Sequence, residues 1–246
     1  WRPDGRALAC AQGQRTQGAP GWKAANNLVI ASWPDLALSQ VLAPESAFIY
    51  SWWGENWAWR PDGGALAYAH ANEIGIVDLA APERAPIYTF SPYHTHGDWV
   101  WLPTLSWRPD GAALAALTHV GDEESDAFAL VALNAATGEA RELTRAVGPW
   151  SAPAWSSAGL SYGERLKMGS DERYRLVALG QDLGQTVSAE LAEHAAAPYI
   201  ESCWSPVGRR IIFTREGDLW LFDLDQSAVQ PIPITASGLA SRPCWR

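Results

Sequence analysis

One short phrase, Trp-Arg-Pro-Asp-Gly, recurs along the chain and limits the folds that the chain can adopt. The phrase or a variant of it begins at Trp1, Trp59, Trp107, Trp155 and Trp204. The intervals between these tryptophans are 58, 48, 48 and 49 residues, and Cys244-Trp245-Arg246 opens a sixth copy. Self-similarity at a nearly fixed period indicates a repeat architecture.

Each repeat predicts the same local structure. Tryptophan ends one strand, and Pro-Asp-Gly forms a tight turn in which glycine takes the left-handed conformation. A short apolar strand follows, as at 65–69 and 113–117, and then a second strand with clearer β character, as at 74–79 and 128–133. A third, weaker strand leads out, and no segment predicts a convincing helix. Four short antiparallel strands in one repeat are typical of a β-propeller blade.

The sequence therefore predicts an all-β fold, namely a β-propeller of four-stranded antiparallel blades. A single domain spans 1–246, with blade units at approximately 1–58, 59–106, 107–154, 155–203 and 204–246. Radial packing of blades buries both faces of each sheet and places the repeated tryptophan between neighbours. Two arrangements fit the five complete units. In one, 241–246 pairs beside 6–12 and closes a five-bladed ring, which removes exposed sheet edges; in the other, the chain is part of a six- or seven-bladed propeller.

Composition argues against several classes of function. No run of 18 or more apolar residues is present, so no membrane span is predicted. A net charge of −9, with Lys23 and Lys167 as the two lysines, argues against a nucleic-acid partner. The three cysteines, Cys10, Cys203 and Cys244, give no disulfide framework, although ring closure would place Cys244 on the strand beside Cys10.

The repeat resembles that of the TolB-like propellers. The resemblance rests on the phrase Trp-(Ser/Arg)-Pro-Asp-Gly and on the unit "CWSPVGRRIIFTREGDLWLFDLD" at 203–225, and it covers the whole chain. Similar repeats occur in the periplasmic TolB protein, in non-catalytic propellers of prolyl-oligopeptidase-type enzymes and in bacterial surface proteins, so the resemblance implies the fold more than the function. It implies an extracytoplasmic location, in the periplasm or at the cell surface. It also implies protein or peptide partners from the cell envelope, with a glycan as a further option.

Aromatic residues in the loops before each predicted inner strand are the strongest functional signal. In a propeller these loops surround one mouth of the central channel. Flat aromatic faces suit the apolar side chains of a peptide, sugars or cations. The candidate partner-binding residues are Trp52, Trp53, Trp57, Trp99, Trp101, Trp150 and Tyr199. The alternative is that these rings cap the core between blades, and different rings can take different roles.

Two polar segments are weaker candidates for a site. His94, His96 and Asp98 can converge on one metal ion if their segment is extended, although a polar loop without a metal is the simpler interpretation. The segment 121–126 is an acidic hairpin tip that lacks the ligand spacing of an EF-hand loop. No cofactor is predicted, and the metal remains a side hypothesis.

No convincing catalytic constellation is present in the sequence. The segment 159–163 matches the nucleophile pattern of serine hydrolases, but that pattern needs a strand, a sharp turn and a helix. Here it falls on a turn and a predicted strand. We therefore expect a non-enzymatic binding or scaffold propeller that recognises a peptide or protein segment at the aromatic channel mouth. The alternatives are a carbohydrate-binding propeller and the accessory propeller of a prolyl-oligopeptidase-type hydrolase whose catalytic domain lies outside this sequence.

Overall fold

The computed structural model describes most of the chain. The described residues are 1–15, 17–18, 22–24, 27–43, 56–95, 100–168, 172–191, 202–226 and 230–240. Within them every regular element is a β-strand, which confirms the predicted all-β class. None of these residues belongs to a helix long and apolar enough to cross a membrane.

The described strands form five antiparallel sheets that follow one another along the chain, with one small hairpin in addition. Sheet 1 contains β1 (Ala7–Cys10), β4 (Leu28–Ser32) and β5 (Leu38–Leu42), and the hairpin of β2 (Gly13–Arg15) and β3 (Trp22–Ala24) lies between its first two strands in the chain. Sheet 2 contains β6 (Trp57–Trp59), β7 (Ala65–His70), β8 (Glu73–Asp78) and β9 (Ala81–Thr89). Sheet 3 contains β10 (Leu105–Trp107), β11 (Ala113–His119), β12 (Phe128–Asn134) and β13 (Ala140–Thr144). Sheet 4 contains β14 (Ala154–Ser156), β15 (Gly159–Lys167), β16 (Arg173–Leu179) and β17 (Gln185–Leu191), and sheet 5 contains β18 (Ser202–Trp204), β19 (Arg210–Arg215), β20 (Asp218–Asp223) and β21 (Ile232–Pro233).

In sheets 2 and 3 the Pro-Asp-Gly turn joins the first and second strands, as its sequence predicts. In sheet 3, Gly111 has a φ of 71°, in the left-handed region that glycine adopts readily. The carboxylate of Asp110 accepts the backbone N–H of Ala112 at 2.9 Å and Nε of Arg108 at 2.8 Å. The turns are also close to one another, since a Cβ at Gly111 would lie 3.3 Å from Cγ of Arg60 in the preceding turn. The repeated turns therefore pack one upon the next.

Consecutive sheets pack face to face, and alternate residues of the second strand point to opposite neighbours. In β11, Leu114 and Ala116 pack in the apolar cluster shared with sheet 2. Ala115 and Leu117 of the same strand pack in the cluster shared with sheet 4. Similar clusters join sheet 1 to sheet 2 and sheet 4 to sheet 5. Because both faces are covered, every residue of β11 is buried and the strand is nearly all apolar.

The repeated tryptophan joins neighbouring sheets through its indole. Nε1 of Trp107 donates to the carbonyl of Ala58 at 3.0 Å, and Nε1 of Trp204 donates to the carbonyl of Ala154 at 3.0 Å. Both rings are buried between the sheets. Trp1 differs, since it is 66% exposed.

The antiparallel strand order gives the molecule two different ends. In sheets 2 to 5 the turns between the first and second strands share one end, here called the turn face. Hairpins between the second and third strands share the opposite end with the connections from one sheet to the next, here called the connection face. Hydrogen bonds link the connections to the second strands and their hairpins. The N–H of His94 donates to the carbonyl of Glu123 at 2.7 Å, and the N–H of Arg165 donates to the carbonyl of Ala146 at 2.8 Å. The described residues of the predicted aromatic site, Trp57, Trp101 and Trp150, lie in these connections or directly beside them.

Candidate binding face

The structure describes three of the seven predicted aromatic residues. These are Trp57, Trp101 and Trp150. The other four, Trp52, Trp53, Trp99 and Tyr199, lie outside the described residues. The three rings are positioned differently, so each one is assessed by its own contacts.

Trp101 is part of the core between sheets 3 and 4. Its side chain is 2% exposed, and its Nε1 donates to the carbonyl of Pro149 at 2.9 Å. Its ring meets that of Phe128 edge-on at 5.0 Å between centroids. The hydrogen bond ties the connection before sheet 3 to the connection before sheet 4. Trp101 therefore takes the core-capping role that the sequence left open, and it offers no free ring face to a partner.

Trp57 and Trp150 are half-buried. Trp57 packs against the apolar cluster between sheets 1 and 2. Trp150 packs against the clusters on both sides of sheet 4. Each ring therefore stabilises an interface between sheets while part of its surface remains accessible.

An open pocket of about 320 Å³ lies on the connection face where sheets 3 and 4 meet. Its walls come from Asp126–Phe128, from Arg145–Val147 and from Arg165–Met168. Leu166 is 43% exposed and Met168 is 59% exposed. The pocket therefore offers apolar surface beside ionic groups, since four of its ten lining residues are charged.

The charged wall of this pocket is built on a buried arginine. The side chain of Arg165 is 8% exposed, its Nη2 lies 2.7 Å from Asp126, and its Nε lies 2.6 Å from Glu172. Burial lowers the pKa of Arg165, but the hydrogen bond with Asp126 and the charge of Glu172 outweigh it and raise the pKa overall. The hydroxyl of Tyr174 donates to Glu172 at 2.9 Å. Burial, with the charge of Glu172, raises the pKa of Tyr174, which keeps the phenol a neutral donor.

The rim of the pocket adds further charge. Arg145 and Lys167 join Arg165 in the lining, against the single carboxylate of Asp126. Glu142, which does not line the pocket, accepts a hydrogen bond from Nε of Arg145 at 2.9 Å. The carboxylates of Asp126 and Glu172 are paired with Arg165 and that of Glu142 with Arg145, so the charges around the pocket are mixed and nearly balanced.

The candidate metal ligands are only partly described. His94 has an exposed side chain, and its Nδ1 lies 3.9 Å from a carboxylate oxygen of Glu124 in the acidic hairpin 121–126. His96 and Asp98 lie outside the described residues. Within the described part of the chain, no group of three His, Cys, Asp or Glu side chains is arranged to hold a metal ion. The structure instead places His94 beside the acidic hairpin 121–126, which the sequence indicated as a separate candidate.

The serine of the hydrolase-like pattern is a structural residue. Ser161 lies in the middle of β15, is fully buried, and pairs with Ala154 of β14. Its Oγ accepts the indole N–H of Trp204 at 2.9 Å and lies 3.1 Å from the hydroxyl of Ser202. A buried mid-strand serine lacks the exposed strand–turn–helix position that a hydrolase nucleophile needs.

Comparison with solved structures identifies the fold. No family model and no curated protein sequence matches the chain. TolB from Acinetobacter baumannii matches with a TM-score of 0.58 and 16% identity, over 96% of this chain and 54% of that chain. The β-propeller domain of the Trilobed protease from Pyrococcus furiosus matches with a TM-score of 0.52 and 14% identity, over 93% of this chain and 68% of that one. The WD40 domain of coronin from Toxoplasma gondii matches with a TM-score of 0.57 and 10% identity, over 86% of this chain and 54% of that chain.

The chain has a β-propeller fold like that of TolB. Identities of 10–16% show this fold alone. The chain spans about half of the TolB structure that it matches. The function must therefore be argued from the connection face itself.

Proposed function

We propose that the protein is a non-enzymatic binding or scaffold propeller that recognises a peptide or protein segment on its connection face. The observation that carries this proposal is the open pocket between sheets 3 and 4, where Leu166 and Met168 are exposed beside buried Arg165. Single exposed apolar residues are ordinary on any surface. Two of them at a pocket, on the face that also carries the aromatic connections, mark a candidate interaction site.

The proposed contact surface extends from this pocket across the channel mouth. In this proposal the five sheets are the five blades of one ring, with units at about 1–58, 59–106, 107–154, 155–203 and 204–246. Trp57 and Trp150 contribute their accessible ring surfaces. The remaining proposed contacts are Trp52, Trp53, Trp99 and Tyr199, while Trp101 supports the surface from below.

An extended segment with an apolar side chain fits this pocket, because that side chain can pack against the exposed side chains of Leu166 and Met168. The likeness to TolB supports a cell-envelope partner and an extracytoplasmic location, in the periplasm or at the cell surface.

One comparison favours a second candidate function. The chain matches the β-propeller domain of a protease, so an accessory propeller that orients substrates for a separate hydrolase domain is the alternative. The buried position of Ser161 supports a non-catalytic role for this chain in either case. Sequencing the gene beyond the codon for Arg246 distinguishes the two, because a serine-hydrolase pattern in an α/β context favours the accessory role.

The test is selection of peptides from a display library on the immobilised protein, followed by affinity measurement. The double variant Leu166→Asp with Met168→Asp should weaken binding of the selected peptide at least about tenfold, because it removes the apolar contact and places two charged groups there. The matched control is Val207→Asp, since Val207 is 74% exposed on the turn face. Equal loss in both variants, or loss in neither, would overturn the assignment of binding to the connection face.

A further inference from the structure

One buried histidine lies between two backbone carbonyl groups at the connection face. His119, the last residue of β11, is 2% exposed. Its Nδ1 lies 2.9 Å from the carbonyl oxygen of Ser91, and its Nε2 lies 2.6 Å from the carbonyl oxygen of Ser125. Ser91 belongs to the connection between sheets 2 and 3, and Ser125 belongs to the acidic hairpin 121–126. The ring of His119 therefore joins two segments that are distant in sequence.

Both contacts require an N–H group on the ring. A carbonyl oxygen can only accept a hydrogen bond, and neutral imidazole carries one N–H group whereas imidazolium carries two. With a neutral ring, one nitrogen would turn its lone pair toward an oxygen at 2.9 Å or less. The 2.6 Å contact is also shorter than the usual range of about 2.7–3.2 Å, and charge-assisted hydrogen bonds are the short ones. The positions of the two carbonyls therefore fit the imidazolium.

Two aromatic rings flank His119. Its side chain is on the same side of β11 as those of Ala115 and Leu117, because side chains alternate along a strand, and this side faces sheet 4. Between centroids, the ring of Tyr93 lies 5.3 Å from that of His119, and the ring of Phe128 lies 5.5 Å from it. A cation at such distances is attracted to an aromatic ring. The two rings therefore favour a charged His119.

The acidic hairpin offsets the cost of burying this charge, since burial alone disfavours a charged imidazole. The hairpin carries four carboxylates, those of Asp122, Glu123, Glu124 and Asp126. The connection contributes His94, whose Nδ1 lies 3.9 Å from a carboxylate oxygen of Glu124. Sheet 4 contributes Arg165, which is paired with Asp126 and with Glu172, and the exposed Lys167 at the pocket rim. Carboxylates outnumber cations among these groups.

We propose that His119 is held as the imidazolium in the folded protein and acts as a pH-sensitive clamp between the connection and the acidic hairpin. When the ring loses a proton as the pH rises, one of the two hydrogen bonds becomes a contact between lone pairs and the clamp opens. Histidine ordinarily changes charge between about pH 5 and 8, where carboxylates stay ionised. Burial raises the pKa of Tyr93, so its phenol stays neutral in this range.

The clamp acts on one wall of the pocket between sheets 3 and 4. The hairpin leads directly into Asp126–Phe128, which forms that wall. Phe128 is also the residue opposite His119 in the ladder between β11 and β12. Opening of the clamp therefore releases this wall from the connection. The inference goes beyond the proposed function, because it concerns the wall whether or not a peptide binds there.

Hydrogen exchange of backbone amides tests the clamp. The N–H of His94 donates to the carbonyl of Glu123 at 2.7 Å, and that of Val120 donates to the carbonyl of Ala127 at 2.9 Å, so both amides report on the hairpin. Protection factors correct for the intrinsic effect of pH on exchange. We expect those of the two amides to be at least about tenfold lower at about pH 8 than at about pH 6, because a hydrogen bond to a charged group contributes at least that factor. Amides of β16 should keep their protection.

The variant His119→Phe keeps an aromatic ring of similar size that cannot take up a proton. Its two hairpin amides should have low protection at both pH values. The matched control is His94→Ala, which removes an exposed imidazole beside the hairpin and keeps the backbone N–H of that residue; its pH dependence should match that of the unaltered protein. Protection that does not change with pH in the unaltered protein would overturn the proposal. So would pH dependence that survives in His119→Phe or vanishes in His94→Ala.

A second measurement observes the ring itself and needs no variant to fold. Proton–nitrogen NMR of the protein with isotope-labelled histidine rings shows whether one nitrogen or both carry a proton. The His119 ring is identified by its contacts with the ring protons of Tyr93 and Phe128. Both of its nitrogens should carry a proton at about pH 6, and a bare nitrogen at that pH would overturn the proposal. Neither measurement uses a peptide, so this inference and the proposed function can fail separately.

Discussion

Replacing Ser161 by alanine separates a structural serine from a catalytic one. The Oγ of Ser161 accepts from Trp204 Nε1 at 2.9 Å, lies 3.1 Å from Ser202 Oγ, and reaches Ala154 O at 3.4 Å. Trp204 keeps its bond to Ala154 O at 3.0 Å, so the indole is not left unpaired. Alanine fills nearly the same volume, and a typical hydrogen bond contributes about 0.5–1.5 kcal/mol. The expected loss in the free energy of unfolding is therefore about 1–2 kcal/mol.

Equilibrium urea unfolding, followed by tryptophan fluorescence, measures this loss. The m-value should stay constant, because the substitution changes an internal bond and not the compactness of either state. Ser156→Ala is the matched control on the same sheet, since its hydroxyl accepts from Ala158 at the half-buried turn, and it should cost about 0.5 kcal/mol. A loss in the free energy of unfolding smaller than that of Ser156→Ala would refute the structural role of the Ser161 hydroxyl. Labelling of Ser161 by a fluorophosphonate would refute the structural reading of the motif altogether.

Three further predictions follow from the packing and the turns. Leu114→Ala, at a fully buried position between sheets 2 and 3, should destabilise the protein by about 2–5 kcal/mol in urea unfolding, whereas Leu239→Ala, at an 88% exposed position, should cost almost nothing. Gly75→Ala should destabilise by about 1–3 kcal/mol, because a Cβ there would lie 2.3 Å from the ring of Tyr68; unchanged stability would show that the ring moves freely. Hydrogen bonds from Arg60 and Arg108 hold the pKa values of Asp62 and Asp110 below their usual range. These carboxylates therefore add stability that is present above their pKa in the unfolded chain and is lost as pH falls through their pKa in the folded protein. Carboxyl NMR titrations with midpoints at the ordinary value of about 3.9 would contradict this.

The fold could be predicted because short local sequences specify the turns between its strands. Proline, aspartate and glycine specify a turn whatever surrounds them, and Gly111 and Asp110 act in the structure as their sequence indicates. The burial of β11 on both faces also follows from the sequence, since a strand of this kind is nearly all apolar.

The site was less predictable because it depends on contacts between distant segments. The spacing of Trp101 from its repeat tryptophan gave no sign that its indole would reach Pro149, 48 residues away. The pocket depends on a bond between Arg165 and Ala146 and on β15 ending in exposed side chains. Nothing in the pattern around Met168 marked it as a surface residue at a pocket. Trp57 and Trp150 pack against the core and keep part of their surface accessible, a combination that their spacing did not indicate.

Met168 offers the most direct test of binding at the connection face. It is the single methionine in the sequence and is 59% exposed at the pocket, so its oxidation to the sulfoxide by hydrogen peroxide reports on one place. With a saturating amount of the selected peptide, we predict that the oxidation rate of Met168 falls several-fold, while an unselected peptide of the same composition leaves it unchanged. An undiminished rate in the saturated complex would show that the partner binds elsewhere, and would contradict the central claim.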